Sequence, residues 1–169
     1  MYKRQVFISL TKNKKRKKQD IASPNTPNLN GYILQLTPKN KSHKCTNFSW
    51  EIIINANKRN AKDNLANPDN LIFDSKGNLW VATDGMEKSQ NISDSIYKID
   101  LKNNSQFRLL NAPRGSEICG PEFTPNGKNL FLAIQHPGED SSYESPSTRW
   151  PKFKKDIPPL PSIIVIEKI

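Results

Sequence analysis

Cysteine and histidine are scarce here, and that scarcity excludes several chemistries. The two cysteines, Cys45 and Cys119, stand far apart, with no C-x-x-C pair and no histidine pair at zinc-binding spacing. Neither a structural zinc site nor a disulfide framework is indicated, and a single Cys45 to Cys119 bridge is left open. His43 lies close to Cys45, but two ligands on a Lys-rich turn read as coincidence. Long apolar runs are also missing. The longest, residues 130–134 and 163–166, are strand-sized and far below the roughly 18 residues a membrane-spanning helix needs. No membrane span is expected. Lys3 and Arg4 precede only the short apolar stretch 6–10, too little for the core of a signal peptide. The expectation is a chain with no export signal of its own, cytoplasmic if expressed alone.

Hydrophobic residues make up 34% of the 169, and no window of a dozen residues carries a sustained 3.6-residue apolar stripe. A helical bundle is therefore excluded. The 13 prolines and 19 asparagines place much of the chain in turns. What remains is β-strand signal: short runs of β-branched and aromatic residues bounded by Asn, Gly, Pro and Lys clusters. The length suits one domain or a piece of one.

The net charge of +10 suggests a nucleic-acid partner until its distribution is considered. Lys3, Arg4, Lys12, Lys14, Lys15, Arg16, Lys17 and Lys18 put eight of the 26 basic residues, and no acidic one, into the first eighteen positions. The rest of the chain is nearly neutral. The run 12–18 has no interleaved aromatics on which bases could stack, so it reads as a solvated loop and no nucleic-acid partner is expected. With Pro24, Pro27 and several Asn, the whole segment 12–30 is expected to be exposed and mobile, with nothing to bury.

An internal repeat organises the chain. Leu71-Ile72-Phe73-Asp74-Ser75-Lys76-Gly77-Asn78-Leu79-Trp80 and Glu122-Phe123-Thr124-Pro125-Asn126-Gly127-Lys128-Asn129-Leu130-Phe131 each read as a strand, a Gly-containing turn and a second strand. Their offset of about 50 residues is that of a β-propeller blade. Placed on a four-stranded blade, the strands are 5–11, 32–36 and 48–54 in a first unit; 71–74, 79–83, 96–101 and 106–110 in a complete second; and 122–124, 130–135 and, after a Pro-rich insertion at 137–161, 162–167 in a third. The predicted fold is all-β, a partial propeller of about two and a half blades, with blade remnants at 5–54, 71–110 and 122–168. Ten strands do not close a ring, so either an upstream N-terminal half supplies the remaining blades or the gene is truncated.

Polar residues entering the first strand of a propeller blade face the central channel. Asp69 and Asn70 in the second unit and Glu117 in the third occupy that place. Carboxylates at equivalent blade positions suit a hard cation such as Ca²⁺; an Asx-turn cap at Asp69 and a solvated loop acid at Glu117 are the competing readings. His136 sits where the chain leaves a second strand, a place for a ligand, a general acid or a side chain bonded to its own turn. Trp80 and Phe131, at matching second-strand positions, are expected to pack between blades.

Taken in order, Val6-Phe7-Ile8-Ser9-Leu10-Thr11, Gly31-Tyr32-Ile33-Leu34, Pro68-Asp69-Asn70-Leu71-Ile72-Phe73-Asp74, Thr83-Asp84-Gly85, Gly120-Pro121-Glu122-Phe123-Thr124-Pro125-Asn126-Gly127 and Gln135-His136-Pro137-Gly138-Glu139 resemble the C-terminal part of PhoX-type alkaline phosphatases. The Asp-Asn-Leu hairpin alone is shared with calcium-dependent lactonase propellers. The resemblance implies a periplasmic or secreted six-bladed propeller that hydrolyses phosphate esters with Ca²⁺ and Fe³⁺ held in its channel by carboxylates and a cysteine. It implies that Asp69 ligates calcium and that Glu117 matches an acidic position one blade on. Cys119 is not at the position of the family's iron-binding cysteine, and the remaining ligands would lie upstream. The implied function is that of a phosphatase fragment, inactive in isolation; a lactonase-like propeller and a non-catalytic interaction module are the alternatives.

Overall fold

The computed structural model describes residues 4–40, 42, 44–58, 65–86 and 91–167; His43 lies outside them. The fold is all-β. Among the described residues, ten strands and one short 3-10 turn, Ala56–Lys58, follow in order: β1 Val6–Leu10, β2 Tyr32–Pro38, β3 Phe48–Asn55, β4 Pro68–Phe73, β5 Leu79–Thr83, β6 Ser95–Asp100, β7 Ser105–Asn111, β8 Glu117–Phe123, β9 Asn129–Gln135 and β10 Ser162–Glu167. They form three antiparallel sheets, β1-β2-β3, β4-β5-β6-β7 and β10-β9-β8. All ten expected strands are present, most displaced by a residue or two at their ends. The chain divides into two compact units, residues 1–68 and 69–169.

In the first unit β2 is the central strand, pairing Leu34 with Ile8 on one side and with Ile52 on the other. Tyr32, Ile33, Ile54 and Leu65 are fully buried there. Segment 12–30 departs from expectation. Its lysines are mostly exposed, and Arg16 pairs with Asp20, but Ser23 and Asn28 are buried. Asn28 donates to the Thr11 carbonyl (3.0 Å) and accepts from Gly31 N (2.8 Å) and Asn57 Nδ2 (2.9 Å). Asn25 N donates to the Tyr32 hydroxyl (3.0 Å). Asparagine carries a donor and an acceptor on one short side chain, so the residues that read as loop composition tie the loop to the sheet.

In the second unit the four-stranded and the last three-stranded sheets enclose one core of Trp80, Ala82, Ile96, Ile118, Leu130, Leu132 and Ile134. Trp80 is buried and meets Phe123 of the other sheet edge to face, ring centroids 5.5 Å apart. Phe131 does not share that role and is 39% exposed. Side chains alternate along a strand, so Leu130 and Leu132 take the core face of β9 and Phe131 the opposite one. Among the described residues no sheet covers that face.

The largest difference lies at β8. The sequence places this strand at 122–124. In the structure β8 begins at Glu117, and its register with β9 shifts between Cys119 and Glu122. A bulge absorbs Gly120 and Pro121: it tolerates a proline without a donor and a glycine with φ of +54°.

Candidate functional site

The second unit gathers the expected site residues at one end of its sheets. Asp69 and Asn70 are the second and third residues of β4, Glu117 is the first of β8, and His136 follows the last residue of β9. The pairing of Glu117 with Gln135 brings the Glu117 and His136 side chains together, His136 Nε2 lying 4.0 Å from Glu117 Oε1. His136 has a φ of +49°, so the chain turns out of the sheet at this residue.

Asn70 links the two inner strands. Its Oδ1 accepts from Gly120 N at 2.6 Å, a group the bulge releases from the ladder, and its Nδ2 donates to Asp69 Oδ2 at 2.7 Å. One amide thus fixes both the approach of β8 to β4 and the orientation of the Asp69 carboxylate. The sequence offers Asn70 as a possible channel ligand; in the structure its amide bonds Gly120 N and the Asp69 carboxylate.

The acids repel one another. Burial raises the Asp69 pKa, and the Asp84 charge raises it further. Burial raises Glu117 too, with Asp84 and Asp69 adding to the effect, while the Cys119 thiol and His136 oppose it. Asp84 was missed as a site residue. Its signal was its position immediately after β5, and the group that holds it there is buried Asp94. Asp94 accepts from Thr83 Oγ1 (2.7 Å), Gly85 N (2.7 Å) and Met86 N (2.9 Å), a cage around the turn that carries Asp84. Burial raises the Asp94 pKa despite these bonds.

Cys119 donates to Glu117 Oε1 at 3.2 Å. Burial and the neighbouring carboxylates push its pKa up to about 12, so without a metal it stays a thiol at neutral pH. Cys45 and Cys119 are both free.

A carboxylate-rich strand end of this composition attracts cations and repels anions. Residues 1–138 match the family described as alkaline phosphatase PhoX. The chain belongs to the PhoX alkaline phosphatase family. No curated protein matches it. Among solved structures, Pseudomonas fluorescens PhoX in complex with vanadate, a transition state analogue, superposes with a TM-score of 0.83 at 26% identity over 97% of this chain. The chain spans 31% of the length of that PhoX.

PhoX proteins use calcium and iron. The donor chemistry here fits calcium in kind, since Asp69, Asp84 and Glu117 are hard oxygen donors whose mutual repulsion a cation would relieve. It does not fit in number: among the described residues no three His, Cys, Asp or Glu side chains are close enough to hold an ion. No helix among the described residues is long and apolar enough to cross a membrane.

Proposed function

We propose that this chain is the C-terminal part of a PhoX-type phosphatase hydrolysing phosphate esters, in which Asp69 and Glu117 lend carboxylates to a calcium site whose remaining ligands come from an upstream part of the same propeller. The three sheets are then two partial blades and one complete blade of a six-bladed ring. Support comes from one juxtaposition above all: Asp69 and Glu117 stand at the same end of the sheets, where burial and then the charges of Asp84 and Asp69 raise the Glu117 pKa, in a chain that superposes on a PhoX. When bound, the ions would supply neutralisation of the phosphate oxygens and activation of an attacking oxygen. This chain's own residues hold charge and shape: Asn70 orients Asp69, Asp94 holds the Asp84 turn, and His136 flanks Glu117.

Asp69→Asn and Glu117→Gln in the metal-loaded full protein test the reading. Both keep size and most hydrogen bonding while removing charge. Asp69→Asn is expected to cut phosphomonoester turnover and Ca²⁺ affinity by about tenfold to a hundredfold, as changes at metal sites do, with a smaller loss for Glu117→Gln. Unchanged affinity and turnover in Asp69→Asn would return that residue to a turn-capping role. Lactone ring-opening indifferent to iron would favour the lactonase-like alternative. A second reading, a non-catalytic propeller remnant, draws on the incomplete ligand set and requires that neither turnover nor tight metal binding be found.

A further inference from the structure

Beside the carboxylate end of the second unit, the 137–161 insertion folds over a pocket open to solvent, with a volume of 430 Å³. Its wall includes His136, Glu139, Tyr143, Pro146, Pro158 and Pro159. His136 belongs to both places, lining the pocket while its ring faces Glu117. We propose that this pocket receives the alcohol part of the phosphate ester and favours a neutral aromatic alcohol, an inference that rests on the phosphatase reading above.

Three observations carry it. The first is position: the pocket shares His136 with the carboxylate end, so a molecule seated in it lies beside Glu117. The second is chemistry, because no Lys or Arg lines the pocket and its one formal charge is the Glu139 carboxylate. A further phosphate or carboxylate would be repelled there, whereas proline faces and the 61% exposed Tyr143 ring are surfaces on which an aromatic ring packs. The third is preorganisation. Gly138 N donates to the Arg114 carbonyl (3.1 Å), Glu139 N to the Gly115 carbonyl (2.9 Å) and Leu160 N to the Trp150 carbonyl (2.9 Å), while Trp150 Nε1 reaches Ser162 Oγ (2.6 Å). Gly138, with φ of +81°, lets Pro159 close the wall, since a Cβ there would lie 3.0 Å from Pro159 Cγ. Both mouths of the insertion are thus pinned, and the pocket exists before a ligand arrives. Its volume is ample for a single ring.

Two measurements on the metal-loaded full protein separate this from the reading it rests on. The first is the ratio of kcat/KM for phenyl phosphate to that for glycerol 2-phosphate. Tyr143→Ala is expected to lower the ratio by about three- to tenfold, the worth of an aromatic contact, and Tyr143→Phe to restore it. The second is NMR saturation transfer from protein to phenol, which Tyr143→Ala should abolish. If both esters turn over but the ratio and the phenol signal ignore Tyr143, the pocket proposal is overturned and the phosphatase reading stands. If neither ester turns over yet phenol contact depends on Tyr143, the pocket stands as an aromatic-alcohol site and the phosphatase reading falls. Binding of a proline-rich peptide that phenol does not displace would overturn the small-molecule assignment.

Discussion

The Asp74 carboxylate accepts from Lys76 N (3.0 Å), Asn78 N (2.9 Å), Asn78 Nδ2 (2.7 Å) and Trp80 Nε1 (3.0 Å). A single acid therefore shapes the β4–β5 turn and satisfies a buried indole. Burial acts to raise its pKa, but the bonds from Asn78, Trp80 and Lys76 outweigh it and hold the group below the ordinary carboxylate range. The native state then binds fewer protons than the unfolded chain between the two pKa values. Its stabilising contribution is full above the unfolded value of about 3.9 and is lost as pH falls through the lower native one. Asp74→Ala strands the indole N–H and should cost about 1–3 kcal/mol. Asp74→Asn should make the acid limb of the stability curve shallower; denaturant melts between about pH 6 and about pH 2 read this directly, and a curve of unchanged steepness would refute it. Asp69 behaves oppositely. Its raised pKa means that ionisation costs the metal-free fold, so Asp69→Asn should leave the thermal midpoint without metal unchanged or higher while weakening calcium binding. A structural cap would instead lower that midpoint.

Among the elements, β8 and the β1–β2 connection show backbone geometry deciding what side chains can do. The β8 bulge frees Gly120 N for Asn70 and aligns Glu117 with the end of β9. Gly31 performs the equivalent service in the first unit. Its φ is +85°, its carbonyl accepts from Ala56 N (3.1 Å) and Asn57 Nδ2 (3.2 Å), and a Cβ at this position would press on the Leu10 carbonyl and lie 2.9 Å from Pro68 Cδ. Both neighbours are backbone or ring atoms with little freedom to yield. Gly31→Ala is expected to destabilise the first unit by at least about 1–3 kcal/mol, the usual cost of a strained left-handed residue. Hydrogen exchange should localise the loss to β2 and β3; protection unchanged from wild type would show that the connection relaxes freely.

At the scale of the whole molecule, the uncovered apolar face of the last sheet is the dominant feature. Val165 pairs with Phe131 and Ile163 with Ala133, and Ile163, Val165 and Phe131 are 75%, 45% and 39% exposed. Among the described residues β10 has a hydrogen-bonded neighbour on one side only. An apolar face beside an open strand edge associates with whatever pairs it. Expressed by itself, the 169-residue chain should therefore self-associate or precipitate, and the double variant Ile163→Lys, Val165→Lys should shift it toward monomer in size-exclusion chromatography. Co-expression with an upstream half of the propeller should do the same for the unmodified chain. A wild-type chain that runs as a stable monomer would show that this face needs no cover.

Period-two patterning and turn chemistry determined much of this protein from sequence alone, because both act over a few neighbouring residues. They gave all ten strands, the hairpin repeat through Gly77 and Gly127, and the inner-strand positions of Asp69, Asn70 and Glu117; the ordered motifs around Pro68, Gly120 and Gln135 gave the family. Tertiary structure decided the rest. β8 extends back to Glu117 through a bulge at Gly120-Pro121 because β9 offers partners on both sides of it. Asn25 and Asn28 became anchors rather than solvated loop residues because the Tyr32 hydroxyl meets Asn25 and Asn57, remote in sequence, arrives beside Asn28. Asp84 joined the acidic cluster because Asp94 holds its turn against the ends of β4 and β8. Phe131 was left exposed where Trp80 was buried because a strand pattern specifies that a face is apolar, while only packing decides what covers it.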